Sequence, residues 1–244
     1  MAQFVLVHGA WHGGWCWKRL TPLLRAAGHD VHVVTLTGLG ERAHLLSSGI
    51  RLETHIADVV NAIVSEELED VILVGHSYGG IVITGTADRM QQHHPGVLQQ
   101  LVYIDGTAPH PGESWSSAHA PEVVAARVEA ATKSGGLGLP VPDAAVFGVV
   151  DPADLEWLAR RMTPHPFAIY RDPLEFDEAR VARIPRTFID CIEPPFPNIA
   201  KMRKRVRSEP GWTVVELKTG HDAMVTAPRE LADALLARVP RAAP

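Results

Sequence analysis

The strongest constraint on the fold is a serine flanked by glycines, at the junction between an apolar run and a helical pattern. Residues 71–74 read Val-Ile-Leu-Val, which is typical of a strand buried on both faces of a parallel sheet. Residues 75–79 match Gly-x-Ser-x-Gly, the pattern of a sharp strand-to-helix turn in which larger flanking side chains would collide with backbone. The pattern predicts that Ser77 projects from the top of a sheet, with the Tyr78 N–H pointing to where an oxyanion would form.

Apolar runs and helical patterns alternate along most of the chain. Strands are predicted at 4–7, 31–36, 71–74, 101–105, 187–191 and 213–217, and helices at 17–27, 56–68, 79–93 and 228–239. This alternation predicts the α/β class, with a doubly wound, mainly parallel six-stranded sheet.

The alternation stops after the fourth strand. Turns rich in Pro and Gly separate two helical patterns, near 121–133 and 152–162. We therefore expect a core formed by residues 1–109 and 185–244, and a small helical cap at 110–184 over the carboxyl ends of the strands. Five cap side chains are candidates for an apolar pocket, although each could equally pack the cap onto the core: Trp115, Phe147, Trp157, Met162 and Phe167.

Composition excludes several classes of protein. The 244 residues are 46% hydrophobic and 21% charged, which fits one domain with an insertion. A net charge of −5 gives no support for nucleic-acid binding, and we interpret the basic cluster at 201–207 as a solvated helix face. No signal peptide or membrane span is expected. Cys16 and Cys191 are too few for a disulfide framework or a structural zinc site, so we expect reduced thiols in a cytoplasmic protein.

A serine hydroxyl needs a histidine to take its proton and a carboxylate to orient that histidine. In a fold with this turn the chain order is serine, acid, histidine. His221 lies between the last predicted strand and the last predicted helix, where a loop can deliver its imidazole to Ser77. We therefore predict His221 as the general base. No metal ligand set such as H-E-x-x-H occurs, and neither a metal nor a cofactor is expected.

Three carboxylates compete for the role of the acid. Glu193 is favoured, because it follows the fifth strand in a loop stiffened by prolines. Asp105, at the end of the fourth strand, is the main alternative. Asp190 is the weakest candidate, because it falls within a strand pattern and is expected to point away.

An oxyanion hole needs two donors. The Tyr78 N–H is one, and the turn after the first strand is expected to supply the other through the Ala10 N–H. Around these donors we expect five side chains to contact substrate: Trp11, His12, His76, Trp115 and Trp157. For His76, a purely structural role is equally compatible with the sequence.

Residues 5–17, 23–29 and 75–80 resemble the α/β-hydrolase superfamily, in particular the branch of plant methylesterases and hydroxynitrile lyases. Residues 35–45 are more similar to bacterial esterases of that branch, including pyrethroid-hydrolysing carboxylesterases. The resemblance implies a core without the two amino-terminal strands of larger hydrolases.

The resemblance also bears on the acid and on the reaction. Members of the branch usually take the acid from the loop after the penultimate strand, a little under thirty residues before the histidine, which favours Glu193. Hydroxynitrile lyases of this kind carry a lysine after the histidine and a hydroxyl residue in the first turn. Asp222 and Ala10 occupy those positions here, which disfavours lyase chemistry.

The expected function is a serine carboxylesterase that cleaves a small, largely apolar ester through an acyl-enzyme. The same groups acting on an amide, a lactone or a carbon–carbon bond, or as a hydroxynitrile lyase, are the enzymatic alternatives. A ligand-binding receptor with little turnover is the alternative of another class. A small-molecule ester is the expected partner, with homodimer formation left open.

Overall fold

The computed structural model describes residues 1–239, so the last five residues of the predicted core, 240–244, lie outside the described part. The strands are β1 Gln3–Val7, β2 Asp30–Val34, β3 Val71–His76, β4 Leu98–Ile104, β5 Gly138–Leu139, β6 His165–Pro166, β7 Arg186–Cys191 and β8 Trp212–Leu217. The helices are α1 Thr21–Ala26, α2 Leu52–Ser65, α3 Gly79–His93, α4 Pro121–Lys133, α5 Pro152–Ala159, α6 Glu178–Val181, α7 Ala200–Ser208, α8 Ala223–Thr226 and α9 Pro228–Leu236.

Six strands form one parallel sheet in the order β2-β1-β3-β4-β7-β8. All six residues of β3 are buried, as expected for a strand covered by helices on both faces. The predicted α/β class and the doubly wound, mainly parallel six-stranded sheet are confirmed. Because the strands are parallel, their carboxyl ends share one edge, and β3 and β4 end side by side there.

The first predicted helix is divided in two. A 3₁₀ segment covers Gly14–Arg19, and α1 begins at Thr21 with Pro22 in its first turn. Proline has no N–H to continue a preceding helix, which accounts for the break. Helix α2 begins four residues earlier than predicted, because the Asp172 carboxylate accepts the Leu52 N–H at 3.0 Å, a contact 120 residues away in sequence.

The interpretation of residues 201–207 as a solvated helix face is wrong for two arginines of α7. The side chains of Arg203 and Arg205 are only 13% and 9% exposed. Arg203 pairs with Asp105 and Asp190, and Arg205 pairs with Glu113. Arginine is suited to such buried pairing because its planar guanidinium donates to several acceptors at once.

The segment between β4 and β7 contains α4, α5, α6 and the antiparallel pair β5–β6, in which Leu139 faces His165. Helix α4 covers the predicted 121–133, and α5 ends three residues before the predicted 162. The boundaries of the cap at 110–184 stay a prediction. None of the helices within residues 1–239 is both long and apolar enough to span a membrane.

Candidate active site

Ser77 lies in a strained turn between β3 and α3, with a positive φ of 53°. A Cβ on Gly75 would lie 2.6 Å from the Gly79 carbonyl oxygen, and one on Gly79 would lie 2.8 Å from the Val7 carbonyl oxygen. Glycine is therefore required at both positions, as the sequence pattern indicated. The Ser77 backbone is held by hydrogen bonds from the amides of Gly80 and Thr107, at 3.0 and 2.9 Å.

His221 reaches Ser77 from the loop between β8 and α8. Its Nε2 lies 2.9 Å from Ser77 Oγ, and its ring is 1% exposed. The loop approaches the segment before α5 closely, because a Cβ on Gly220 would lie 2.9 Å from the Gly148 Cα. The structure therefore brings the predicted base to the predicted nucleophile at hydrogen-bonding distance.

Asp105, rather than Glu193, is the carboxylate that meets His221. Asp105 Oδ2 lies 2.6 Å from His221 Nδ1, and Asp105 is fully buried. Since a carboxylate only accepts, Nδ1 donates to Asp105, and the Nε2 lone pair accepts the Ser77 hydroxyl. This arrangement is that of a serine poised for proton removal.

The contact expected between Glu193 and His221 is not formed, so the preference for Glu193 was wrong. Glu193 is exposed, and no hydrogen bond of its side chain is found within residues 1–239. The order of the sheet explains this, because β4 is the neighbour of β3, whereas β7 is one strand farther from Ser77. A carboxylate after β4 therefore ends beside the serine.

Arg203 fixes the other side of Asp105. Its Nη2 donates to Asp105 Oδ1 at 2.7 Å and to the Cys191 carbonyl at 3.1 Å, and its Nε donates to Asp190. Asp190 is thus turned away from His221, as expected. The guanidinium supplies a charge-assisted partner for two buried carboxylates and fixes the orientation of Asp105.

The two residues predicted to supply the oxyanion donors both lie close to Ser77, and Tyr78 follows it directly. Ala10 lies in the turn after β1, where a Cβ on Gly9 would meet His76 Nδ1 at 2.8 Å and Ser77 Cβ at 3.0 Å. The backbone of this turn therefore lies against the serine. Among residues 1–239, no protein acceptor is found for the N–H of Ala10 or of Tyr78, which leaves both donors free for a ligand.

Comparison with known proteins agrees with this geometry. The model of the alpha/beta hydrolase family matches residues 4–234. The chain belongs to the α/β-hydrolase family. The resemblance drawn from the sequence is thereby confirmed.

Individual relatives of this α/β-hydrolase match nearly its whole length. A carbendazim hydrolyzing esterase from Nocardioides sp. (strain SG-4G) is 46% identical, over 97% of this chain and 99% of the relative. Methylesterase 2 of Arabidopsis thaliana is 28% identical, over 96% and 95%. An extracellular α/β-hydrolase from a Paenibacillus species has a TM-score of 0.85 and 23% identity, over 99% and 100%. The protein is an esterase-type hydrolase.

Two further histidines of the α/β-hydrolase are neutral structural groups. His8 Nδ1 donates to the Gly9 carbonyl at 2.8 Å, and Nε2 accepts the Leu36 N–H at 3.1 Å. His55 Nε2 donates to the Thr37 carbonyl, so Nδ1 accepts the Tyr78 hydroxyl at 2.9 Å. Each ring therefore has one acceptor and one donor around it. Burial lowers the pKa of His8 to about 3 and that of His55 to about 4.

His12 and His76, predicted as substrate contacts, are buried and bonded to protein. His12 lies between the Ala10 carbonyl and the Asp222 carboxylate, at 2.8 and 3.1 Å. His76 Nε2 donates to the His221 carbonyl at 3.0 Å. Burial lowers the pKa of His76 well below its ordinary value. The structure therefore gives both rings roles in holding the site.

An aromatic cluster, defined here as Trp11, Tyr78, Trp115 and His165, adjoins Ser77 and His221. Ring centroids lie 5.8 Å apart for Trp11 and Trp115, and 4.6 Å apart for Tyr78 and His165. Phe147 connects the cluster to the base, with its centroid 6.1 Å from that of Trp11 and 5.8 Å from that of His221. Two predicted substrate contacts, Trp11 and Trp115, thus lie in one aromatic cluster.

The predicted contact Trp157 lies apart from the aromatic cluster. Its ring packs on Trp15 with centroids 5.0 Å apart, and the guanidinium carbons of Arg19 and Arg161 lie 5.4 and 5.0 Å from its centroid. His165 is not among the site residues predicted from the sequence; it is fully buried and has no hydrogen-bond partner within residues 1–239 at either ring nitrogen. Its only sequence signal is its place between two prolines, which says nothing about its neighbours.

Proposed function

We propose that this α/β-hydrolase is a serine carboxylesterase that cleaves a small, largely apolar carboxylic ester through an acyl-enzyme, without a cofactor. The observation that carries the proposal is the continuous hydrogen-bonded series Ser77 Oγ, His221 Nε2, His221 Nδ1 and Asp105 Oδ2, with separations of 2.9 and 2.6 Å. The roles of these residues follow from which atom accepts and which donates.

In the first step His221 removes the Ser77 proton while Oγ attacks the ester carbonyl. The resulting imidazolium donates a hydrogen bond from Nδ1 to the Asp105 carboxylate and holds the transferred proton at Nε2, close to the leaving oxygen. Transfer of that proton to the alcohol releases it and leaves the acyl group on Ser77. His221 then removes a proton from water as the water attacks the acyl carbon, and it returns that proton to Ser77 Oγ as the bond to the acyl group breaks and the acid leaves.

The tetrahedral oxyanion would bind the N–H groups of Ala10 and Tyr78. Both donors belong to backbone that is fixed before substrate arrives, so little reorganisation is needed as negative charge develops. Asp105 favours the imidazolium form of His221 in the transition state, and Arg203 keeps Asp105 in place from its far side.

The aromatic cluster supports the apolar character of the substrate. Its four rings are buried, and two of them, Trp11 and Tyr78, directly follow Ala10 and Ser77, so the surroundings of the reacting groups are apolar. The relative at 46% identity is named a carbendazim hydrolyzing esterase, which supports the ester-cleaving chemistry. We therefore expect a higher kcat/KM for aryl than for short alkyl esters.

The proposal is tested by hydrolysis of a panel of p-nitrophenyl and phenyl esters by wild type, Ser77→Ala and the control Ser47→Ala. Ser47 is exposed and lies outside the site. We expect wild type and Ser47→Ala to be active and Ser77→Ala to lose about 10⁴-fold or more in kcat. A fluorophosphonate should modify Ser77 in the active proteins, as read by peptide mass spectrometry. Undiminished turnover by folded Ser77→Ala would refute the mechanism.

We also propose a reducing, cytoplasmic setting, which the two buried free thiols Cys16 and Cys191 support. Their burial raises the pKa of both thiols, which keeps them in the unreactive protonated form. Homodimer formation stays a prediction that light scattering of the purified protein would test.

A further inference from the structure

His12 differs from the other bonded histidines around the site in having acceptors at both ring nitrogens. Its Nδ1 lies 2.8 Å from the Ala10 carbonyl oxygen, and its Nε2 lies 3.1 Å from Asp222 Oδ2. A carbonyl oxygen only accepts, so Nδ1 carries a proton. His8 and His55 each have one acceptor and one donor, and are satisfied as neutral rings.

The proton between His12 and Asp222 belongs to the histidine. Burial alone would lower the pKa of His12, but the Asp222 carboxylate raises it above the ordinary 6.5. Burial alone would raise the pKa of Asp222, but His12 and then His76 and His221 lower it below the ordinary 3.8. The two groups therefore form an imidazolium–carboxylate pair. The side chains of His12 and Asp222 are only 1% and 0% exposed, so water does not screen the attraction between them.

The pair joins two parts of the site that are far apart in sequence. On one side His12 holds the carbonyl of Ala10, the residue whose N–H is the proposed oxyanion donor. On the other side Asp222 directly follows the base His221. The intervening Trp11 has a positive φ of 64°, a conformation that non-glycine residues adopt only where surrounding contacts impose it. The hydrogen bond to the Ala10 carbonyl is one such contact.

We propose that the buried His12–Asp222 ion pair is a positioning device, which fixes the oxyanion turn of Ala10 relative to the loop that carries His221. The positioning role rests on the proposed esterase function. Loss of the pair leaves Ser77, His221 and Asp105 intact, but the position of the Ala10 turn relative to the His221 loop is no longer fixed. We therefore expect kcat to fall and KM to change little.

Other titratable groups lie near the pair. His76 Nε2 lies 3.7 Å from Asp222 Oδ1, and His8, His221 and the Cys16 thiol are close enough to interact with its charges. His12 is distinguished from all of them by its direct bond to Asp222. When the pH rises through the raised pKa of His12, the ring loses one proton and can no longer donate to both acceptors.

The first test measures the protonation of His12 and needs no substrate. Its result is therefore independent of whether the protein is an esterase. Nitrogen NMR of the protein labelled at histidine rings, with His12→Asn for assignment, reports which nitrogens carry protons. We expect both nitrogens of His12 to be protonated at neutral pH, and only Nδ1 to be protonated in Asp222→Asn. A singly protonated His12 in the wild-type protein at neutral pH would overturn the proposal.

The second test uses ester hydrolysis by Asp222→Ala and Asp222→Asn, with the exposed Asp233→Asn as control. We expect Asp222→Ala to lose about tenfold to a hundredfold in kcat, less than the roughly 10²–10³ for loss of an oxyanion donor, with little change in KM. Asp222→Asn should retain about ten times the kcat of Asp222→Ala, because its amide can donate to neutral His12.

The pH profile separates positioning from a merely structural role. Wild-type kcat should fall as the pH rises through the raised pKa of His12, and this fall should be absent in Asp222→Asn, whose His12 is neutral throughout. An identical alkaline fall in both proteins, or an Asp222→Ala variant that is folded and has wild-type kcat, would overturn the proposal. If the folded wild-type protein hydrolyses no ester, the esterase function is refuted instead. The NMR result on the His12–Asp222 pair would still hold.

Discussion

At the scale of single residues, the site depends on backbone that lies unusually close to side chains. Gly9 shows this most clearly, because it lies in the turn of Ala10 at the point where that turn meets Ser77. A Cβ there would lie 2.8 Å from His76 Nδ1 and 3.0 Å from Ser77 Cβ. Neither group can move easily, since His76 is buried and Ser77 lies in the strained turn.

We therefore expect Gly9→Ala to lower the free energy of unfolding by about 1–3 kcal/mol and to reduce kcat, because the added methyl displaces the oxyanion turn. The control is Gly49→Ala, where the nearest atom lies 3.8 Å from the added Cβ. Urea unfolding and ester hydrolysis of both variants check this. Equal stability and activity for the two would contradict the packing described.

Residues whose positions are set by local geometry could be predicted from the sequence. Ser77, Tyr78 and Ala10 lie in short turns whose glycines are visible in the chain, and His221 follows from its place between a strand and a helix. The carboxylate could not be decided, because Asp105 and Glu193 both follow strands. The choice depends on which strand lies beside β3, and that order is not encoded in any local pattern.

At the scale of elements, helix α7 stabilises the active site from behind. Arg203 on this helix contacts two buried carboxylates, Asp105 and Asp190, and two backbone carbonyls. The basic pattern at 201–207 suggested a solvated surface, because composition does not reveal which face of a helix meets buried acids. The sequence therefore predicted the helix-forming region but not its function.

We expect Arg203→Met to lower the free energy of unfolding by about 3–5 kcal/mol, since it leaves the buried Asp105 carboxylate without its cation and leaves Asp190 with Arg207 alone. It should also reduce kcat, because Asp105 loses the partner that fixes its orientation. Lys204→Met is the matched control: Lys204 is exposed on the same helix, and its change should stay within about 0.5 kcal/mol. Similar urea midpoints for the two variants would argue against the role of Arg203.

At the scale of the whole molecule, buried neutral histidines make stability depend on pH. Four rings, those of His8, His55, His76 and His165, are at most 1% exposed. Burial lowers the pKa of each below the ordinary 6.5, to about 3 for His8 and about 4 for His55. Below pH 6.5 the unfolded chain therefore binds protons that the native protein does not, and stability falls as the pH decreases towards these values.

We expect the free energy of unfolding to decrease between pH 6.5 and pH 5, by up to about 1.4 kcal/mol per pH unit for each such histidine. His165→Phe removes one buried imidazole from the aromatic cluster. It should therefore reduce the number of protons taken up on unfolding by about one, and the pH dependence should become shallower in proportion. His32→Phe, at a position that is not fully buried, is the comparison. Urea unfolding at several pH values checks this, and a pH-independent midpoint would contradict it.

The overall architecture was the most predictable level. The six strands and the helices α2, α3, α4 and α9 follow from periodicity, which depends only on residues a few positions apart along the chain. Contacts such as Asp172 with Leu52, or His12 with Asp222, join positions 120 and 210 residues apart. Only the folded chain reveals these contacts, and they determine how the predicted elements form one site.

The central claim is that Asp105 completes a triad with Ser77 and His221. The most direct measurement is the kcat of Asp105→Asn and Glu193→Gln for one activated ester, with folding verified for each. We predict a loss of about 10⁴-fold for Asp105→Asn, because an amide favours the wrong tautomer of His221, and a change of less than about threefold for Glu193→Gln. A large loss in Glu193→Gln with an active Asp105→Asn would contradict the account.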